Sequence, residues 1–187
     1  MRVLEKQITV DEFDIFLRQP ENHGGLFELI HGEIAKKMPT EEHGQIVASI
    51  IIVLGAYLRR YRTGRIGTEV SYRMPKDRYN SREPDLSVSL AKRPLVREGS
   101  VSHMPDLAVE VKSPSDSVKQ HREKAHYYLA NGSQIVWLIF PEQRIVEVYT
   151  ADEEVEILTE RDMLTGGELL PEFQMSVAEI FSDPLDG

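Results

Sequence analysis

The sequence predicts an α/β domain over residues 1–187, and three observations predict it. Of the 187 residues, 41% are apolar, which is enough for one core of ordinary size. Short runs of alternating apolar and polar side chains are separated by two long stretches of helical periodicity. Between residues 107 and 140 the order strand, helix, strand predicts a right-handed parallel crossover.

The predicted helices are identified by their caps and by apolar side chains at helical spacing. Thr9 and Glu12 have the spacing of a capping box, as do Ser117 and Gln120. The predicted helices cover residues 10–17, 43–62, 117–131 and a short terminal stretch, 176–181. Gly64 and Gly67 are expected to end the first long helix.

The predicted strands are apolar or alternating runs bounded by turn residues. They cover residues 26–30, 33–38, 70–74, 85–90, 107–112, 135–140, 145–149 and 155–158. The first two form a hairpin whose turn is His31-Gly32. The run 135–140 is almost wholly apolar, as expected for a strand that is buried on both faces.

Charge is distributed unevenly along the chain. The net charge is −9, but residues 142–187 hold 13 acids and two bases. A basic group precedes this acidic tail and consists of Arg59, Arg60, Arg62, Arg65, Arg73, Lys76, Arg78 and Arg82. Such a group attracts phosphate backbones, although a solvated surface of helix and loop is the simpler explanation.

The composition also bears on location and excludes some kinds of site. The chain has no cysteine, which excludes disulfides and cysteine-ligated zinc and favours a reducing compartment. The N-terminus lacks the apolar segment of a signal peptide, and no apolar stretch is long enough to span a bilayer. We therefore expect a cytoplasmic protein without membrane contact.

Two acids and a lysine stand at the ends of two predicted strands. Asp85 follows Pro84 at the start of one strand, and Glu110 and Lys112 share one face at the end of the next. Magnesium prefers carboxylate oxygens, so Asp85 and Glu110, with the carbonyl of Val111 as a third contact, are the predicted metal ligands. Lys112 would stabilise charge on a phosphate or help deprotonate a water. A weak exposed ion pair is the alternative for Glu110 and Lys112.

Other charged side chains are candidates for the same site. Lys124 lies on a helical stripe that faces the sheet, unless its ammonium group extends past the core to water. Glu28 or Glu33, on either side of the hairpin turn, could add a carboxylate, or both could be exposed. His43 heads the first long helix, where packing or capping is the more usual role. Asp106 lies about 13 Å along the strand from the predicted glutamate ligand, too far to share an ion.

The order of several short motifs resembles one known family. These motifs are Glu28-Leu29-Ile30-His31-Gly32-Glu33, His43 at the head of a long helix, Pro84-Asp85-Leu86, Pro105-Asp106-Leu107-Ala108-Val109-Glu110-Val111, Ser113-Pro114-Ser115, Lys124 with Tyr127-Tyr128, and Trp137-Leu138-Ile139. Over roughly residues 5–182 the chain resembles the Uma-two family of endonucleases, which is part of the PD-(D/E)xK nuclease superfamily and is mostly bacterial.

The resemblance implies a restriction-endonuclease-like core, in which helices flank a mixed β-sheet and the metal lies at Asp85 and Glu110. It also implies a homodimer. In many family members the residue two places after the glutamate is not lysine, and a helix lysine is thought to replace it. This chain has both Lys112 and Lys124, which favours an intact site.

Together these residues predict a Mg²⁺-dependent endonuclease that hydrolyses phosphodiester bonds in DNA, with Mn²⁺ able to replace Mg²⁺. Asp85 and Glu110 would bind the metal, Lys112 would assist the water or the phosphate, and Glu33 and Lys124 would be auxiliary. RNA is the less favoured substrate. The alternative function is a catalytically inactive DNA-binding or assembly module with a nuclease-like fold, for which the acidic tail is the supporting feature.

Overall fold

A six-stranded mixed sheet forms the centre of the computed structural model, which describes residues 7–114, 116–152, 155–183 and 185. The helices are α1 (Val10–Leu17), α2 (Glu41–Tyr61), α3 (Val118–Ala130) and α4 (Val177–Ile180). The strands are β1 (Phe27–Ile30), β2 (Glu33–Lys36), β3 (Arg65–Gly67), β4 (Leu86–Ser89), β5 (Leu107–Val111), β6 (Ile135–Phe140), β7 (Ile145–Thr150), β8 (Val155–Thr159), β9 (Met163–Gly166) and β10 (Leu170–Ser176).

The central sheet has the strand order β3-β4-β5-β6-β7-β8. Strands β5 and β6 are parallel, and the other neighbouring pairs are antiparallel. The parallel pair follows from the connection through α3, because a helical crossover returns the chain in the same direction. Strands β1 and β2 form a separate antiparallel hairpin, and so do β9 and β10. The predicted α/β class with a mixed sheet flanked by helices is therefore confirmed.

Both faces of the sheet are covered. Helix α2, the β9–β10 hairpin and α4 pack on one face, where Trp137 stacks on Phe173 with ring centroids 5.6 Å apart. Helix α3 and the loop residues Tyr72 and Met104 pack on the other face. Every residue of β6 is buried, as its apolar sequence predicts. None of the described helices is long and apolar enough to cross a membrane.

The helix starts follow the predicted caps. Thr9 and Glu12 form a capping box at α1, and Ser117 and Gln120 form another at α3. Helix α2 begins two residues before the predicted start, because the Thr40 side chain accepts a hydrogen bond from the backbone N–H of His43. This cap fixes the first turn of α2 at the end of β4 where the candidate site lies.

The hairpin β1–β2 is attached to the main sheet through the segment that precedes β4. Leu29 and Ser81 form an isolated antiparallel bridge, and the Asn80 side chain accepts a hydrogen bond from the His31 N–H. Helix α1 covers the other side of the hairpin in a small core that includes Phe13 and Leu29. The hairpin is therefore held firmly against β4.

Two predictions about local structure were wrong. Residues 70–74 alternate but form no strand, because Tyr72 alone bridges to Arg82 and Val101 and the backbone turns at Glu69, where φ is 50°. Gly67 does not end α2 but lies in β3; the left-handed backbone of Arg62 and Gly64 ends the helix.

The hairpin β9–β10 was not predicted, because its glycines and Pro171 indicate a loop. Ser115 of the predicted motif and residues 1–6 of the predicted domain lie outside the described residues.

Candidate active site

A pocket of about 160 Å³ lies where the hairpin β1–β2, the ends of β4 and β5, and α3 meet. Three acids and three bases line its inner part: Glu28, Asp85, Glu110, Lys37, Arg82 and Lys124. These six residues belong to segments that are distant in sequence and that the fold brings together at the pocket. The pairing of Leu86 with Val109 across β4 and β5 extends to Asp85 and Glu110 at the next position, so these two side chains are neighbours.

Asp85 is almost fully buried and accepts hydrogen bonds at both carboxylate oxygens. The Lys37 Nζ lies 2.5 Å from Oδ1, while the Val111 N–H donates to Oδ2 over 2.7 Å. The His43 Nε2 lies 3.0 Å from the same Oδ2 and donates to it, since an ionised carboxylate only accepts. Burial opposes ionisation of Asp85, but the His43 hydrogen bond and the Lys37 charge outweigh it and hold the pKa below its ordinary value.

Glu110 is 1% exposed and is held by two side chains of α3. The Tyr128 hydroxyl donates to Oε1 over 2.7 Å, and the Lys124 Nζ donates to Oε2 over 2.8 Å. Burial raises the pKa of Glu110 to about 7, helped by the charges of Asp85 and Glu28, although Lys124 lowers it. Glu110 is therefore a buried carboxylate whose charge is incompletely compensated.

Glu28 reaches the same group from β1. Its Oε1 accepts the Glu83 N–H over 3.0 Å, and its Oε2 lies 3.2 Å from the Lys124 Nζ. Lys124 thus joins Glu28 to Glu110 by one ammonium group, and these two carboxylates raise its pKa despite burial. Burial acts to raise the pKa of Glu28, but the charges of Lys124 and Lys37 have a larger opposite effect, so the pKa is lowered.

The donor chemistry of this group suits a hard divalent cation. Carboxylates and backbone carbonyls are typical oxygen ligands of Mg²⁺ in proteins. A bound cation would also supply the positive charge that compensates the buried Glu110 carboxylate. In the present arrangement, however, all six oxygens of Glu28, Asp85 and Glu110 are engaged by protein donors. Among the described residues, no three His, Asp or Glu side chains are already arranged to hold a metal ion.

Two predicted site residues lie away from this group. The Lys112 Nζ donates to the Ser113 carbonyl over 3.2 Å and lies 4.0 Å from Glu142 Oε1, so its ammonium group is directed away from Asp85. Strand β5 ends at Val111, the Lys112 N–H still donates to the Ile139 carbonyl, and the chain turns at Pro114. Glu33 shares a face of the hairpin with Glu28 but lies at the turn, where it is exposed. Neither Lys112 nor Glu33 lines the pocket.

Lys124 faces the sheet, as predicted. The other charged candidates divide between the pocket and contacts elsewhere in the fold. Of the predicted basic group, Arg82 lines the pocket, where it stacks on Tyr127 at 4.6 Å from the ring centroid. Arg73 pairs instead with the acids of α1. Asp106 accepts hydrogen bonds from the Leu90 N–H and the Gln134 side chain at the other end of β5, which confirms its predicted separation from the site.

Sequence reasoning missed several residues of the site. Lys37 follows β2 on the same face as Glu28, so strand alternation could have identified it. His43 was assigned to packing or capping, yet it contacts Asp85 directly. His121 lines the pocket, is 1% exposed and has neither ring nitrogen hydrogen-bonded within the described structure. Burial, with the charge of Lys124, lowers the pKa of His121 to about 3, so its imidazole is neutral.

A family model and solved structures both match this chain. The model of the Uma2 family, described as "Putative restriction endonuclease", matches residues 13–178. The fold is similar to a crystal structure described as "a putative nuclease belonging to DUF820 from Anabaena variabilis ATCC 29413", with a TM-score of 0.78 and 26% sequence identity. This similarity covers 93% of the present chain and 97% of the other. No curated protein matches the chain significantly.

Proposed function

Because the chain belongs to the Uma2 family of restriction-endonuclease-like proteins, we propose that it is a metal-dependent endonuclease that hydrolyses phosphodiester bonds in DNA. The observation that carries this proposal is the convergence of Glu28, Asp85 and Glu110 with Lys124 in one pocket. Buried carboxylates beside a lysine suit phosphodiester hydrolysis, because they can bind a divalent cation next to a group that stabilises negative charge.

In this proposal Asp85, Glu110 and the Val111 carbonyl hold the metal. A bound Mg²⁺ or Mn²⁺ would polarise the scissile phosphate and lower the pKa of a coordinated water. His43 and the Val111 N–H orient the Asp85 carboxylate through its Oδ2. Because these contacts hold Asp85 in place beforehand, the carboxylate does not need to reorient during the reaction.

Lys124 is the lysine that the geometry favours for charge stabilisation. Its Nζ lies 2.8 Å from Glu110 Oε2 and lines the pocket, whereas the Lys112 Nζ is bound to the Ser113 carbonyl. Arg82 adds a second cation to the pocket wall and suits contact with an adjacent phosphate oxygen. Glu33 lies at the exposed end of the hairpin and does not line the pocket, so we assign it no part in this chemistry.

Cleavage of a supercoiled plasmid in the presence of Mg²⁺ or Mn²⁺ tests the proposal. We expect nicked or linear product with the native chain, no product in EDTA, and at least a 100-fold slower reaction with Asp85→Ala. Glu33→Gln provides a matched control that removes an exposed carboxylate. Undiminished cleavage by Asp85→Ala would refute the mechanism. Competition with RNA of equal length separates a DNA enzyme from an RNA enzyme.

One observation favours a second function, that of a DNA-binding or assembly module without catalysis. Every oxygen of the three buried carboxylates already has a protein donor, so the group is stable as an ion-pair network without a metal. Calorimetric titration with Mn²⁺ discriminates the two functions. No binding of the ion, with duplex affinity retained, would favour the module. The homodimer implied by the family resemblance is tested by light scattering on the same samples.

A further inference from the structure

The ammonium group of Lys37 lies in a cage of oxygens. Its Nζ is 2.5 Å from Asp85 Oδ1, 2.8 Å from the Glu83 carbonyl oxygen and 2.9 Å from Glu69 Oε2. The side chain is 13% exposed, and the backbone N–H of Lys37 continues the hairpin by donating to the Leu26 carbonyl. Lys37 is therefore a buried cation that is placed by the hairpin and is surrounded by acceptors.

The cage includes the one carboxylate oxygen that Asp85 can offer to another cation. Its Oδ2 is already fixed by two donors, the Val111 N–H and the His43 Nε2. Oδ1 has a single partner, Lys37, which is attached to a flexible stem of four methylene groups. A divalent cation bound at Oδ1 would lie beside the Lys37 ammonium group, which carries charge of the same sign. Repulsion therefore favours displacement of Lys37, while the backbone and His43 keep the carboxylate in place.

The charges in the pocket make such an exchange favourable. Lys37 and Lys124 together place two positive charges on the carboxylates of Glu28, Asp85 and Glu110. One divalent ion carries the same charge as these two ammonium groups. If it replaced Lys37 alone, the positive charge beside the three buried acids would rise from two to three, and an ammonium group would be released into the pocket that Lys37 lines.

We propose that Lys37 is a tethered counter-ion of Asp85, which a divalent metal displaces when it binds; this inference rests on the proposed metal site. Lys37 then competes with the metal and lowers its affinity for the chain. Once displaced, the ammonium group faces a phosphate instead of a carboxylate. Lys37 is a positioning residue in this scheme, because it acts through Asp85.

Titration of Mn²⁺ into the native chain and two variants, followed by electron paramagnetic resonance of the free ion, tests the inference. Lys37→Met keeps the length of the side chain and removes its charge, and we expect it to bind Mn²⁺ about tenfold more tightly, since one nearby like charge is removed. Lys92→Met is the matched control, because Lys92 is an exposed lysine that does not line the pocket. Its affinity should equal that of the native chain.

The outcomes separate this inference from the proposed function. If the native chain binds Mn²⁺ and a folded Lys37→Met variant binds it equally or more weakly, the counter-ion role is wrong while the metal site stands. If neither chain binds the ion, both are wrong. Circular dichroism establishes that each variant is folded.

A second measurement uses the native chain alone and so does not depend on the stability of a variant. Reductive methylation of lysines, quantified by mass spectrometry with and without Mg²⁺, reports how free each ammonium group is. We expect Mg²⁺ to increase the methylation rate of Lys37 several-fold and to leave that of the exposed Lys92, outside the pocket, unchanged. An unchanged rate at Lys37 with saturating Mg²⁺ would overturn the inference.

Discussion

Replacing Glu110 by glutamine is expected to stabilise the fold at alkaline pH while it abolishes cleavage. Burial raises the pKa of Glu110 to about 7 from an ordinary value of 4.5; the charge of Lys124 opposes this shift, and the nearby charges of Asp85 and Glu28 add to it. A group whose pKa is raised in the folded state stabilises the fold below its unfolded-state pKa, and this contribution is lost as pH rises through the folded-state value. Glutamine carries no charge and can still accept the Tyr128 hydroxyl hydrogen bond, so the variant avoids the loss.

The size of the effect follows from the two pKa values. Their separation corresponds to about 3 kcal/mol in the free energy of unfolding at pH 8, and to less than about 1 kcal/mol at pH 5. The figure at pH 8 is an upper bound, because Lys124 loses one of its two carboxylate partners in the variant and keeps Glu28. We therefore expect a gain that is largest at pH 8 and nearly absent at pH 5.

Urea unfolding in EDTA, followed by the fluorescence of the single tryptophan, measures this difference. Trp137 lies fully buried in β6 and reports loss of the central sheet. The control is Glu33→Gln at the exposed hairpin turn, which should change the unfolding free energy by less than about 0.5 kcal/mol at either pH. A Glu110→Gln variant that is less stable than the native chain at pH 8, or equally stabilised at both pH values, would refute the reasoning.

Three other substitutions test separate parts of the site. Lys124→Met should slow Mg²⁺-dependent plasmid cleavage at least about 100-fold and Lys112→Met less than about tenfold, because Lys124 lines the pocket and Lys112 does not; equal losses would contradict this assignment. Tyr128→Phe should lower the unfolding free energy by about 1–3 kcal/mol at pH 8, since it removes a donor to Glu110, and urea unfolding without any loss would exclude that role. Asp106→Ala should lower the unfolding free energy by about 1–2 kcal/mol but leave Mn²⁺ affinity unchanged, and weaker binding of the ion would show that Asp106 belongs to the site.

Elements with locally determined ends were predicted well from the sequence. The capping boxes of α1 and α3 are formed by residues three positions apart, so the sequence contains all of their partners. Strand β6 is apolar throughout, so its sequence alone indicates a strand in a sheet that is covered on both faces. By contrast, residues 70–74 alternate correctly but have no neighbouring strand of the main sheet, and alternation cannot reveal whether a partner exists.

The proximity of Asp85 and Glu110 was also predictable. Asp85 directly precedes β4 and Glu110 lies near the end of β5, and strands that follow one another along the chain usually pair. The contacts of Asp85 with Lys37 and His43 were not predictable, since they join residues 48 and 42 positions apart. Such contacts depend on how the hairpin and α2 dock against β4. Lys112 illustrates the opposite error: alternation placed it on the face of Glu110, but its flexible side chain directs the ammonium group to the Ser113 carbonyl and toward Glu142.

The order of strands in the central sheet separates charge of opposite sign. Strand β3, beside the arginines at the end of α2, forms one edge, while β7 and β8 belong to the acidic tail and lie at the other edge. The acids of β7 and β8 therefore lie across the sheet from these arginines, whereas β10 brings Glu172 back to Tyr61 at the end of α2. In low salt the edge that carries the arginines would attract an approaching polyanion, so the association rate should fall as ionic strength rises even though the net charge is negative.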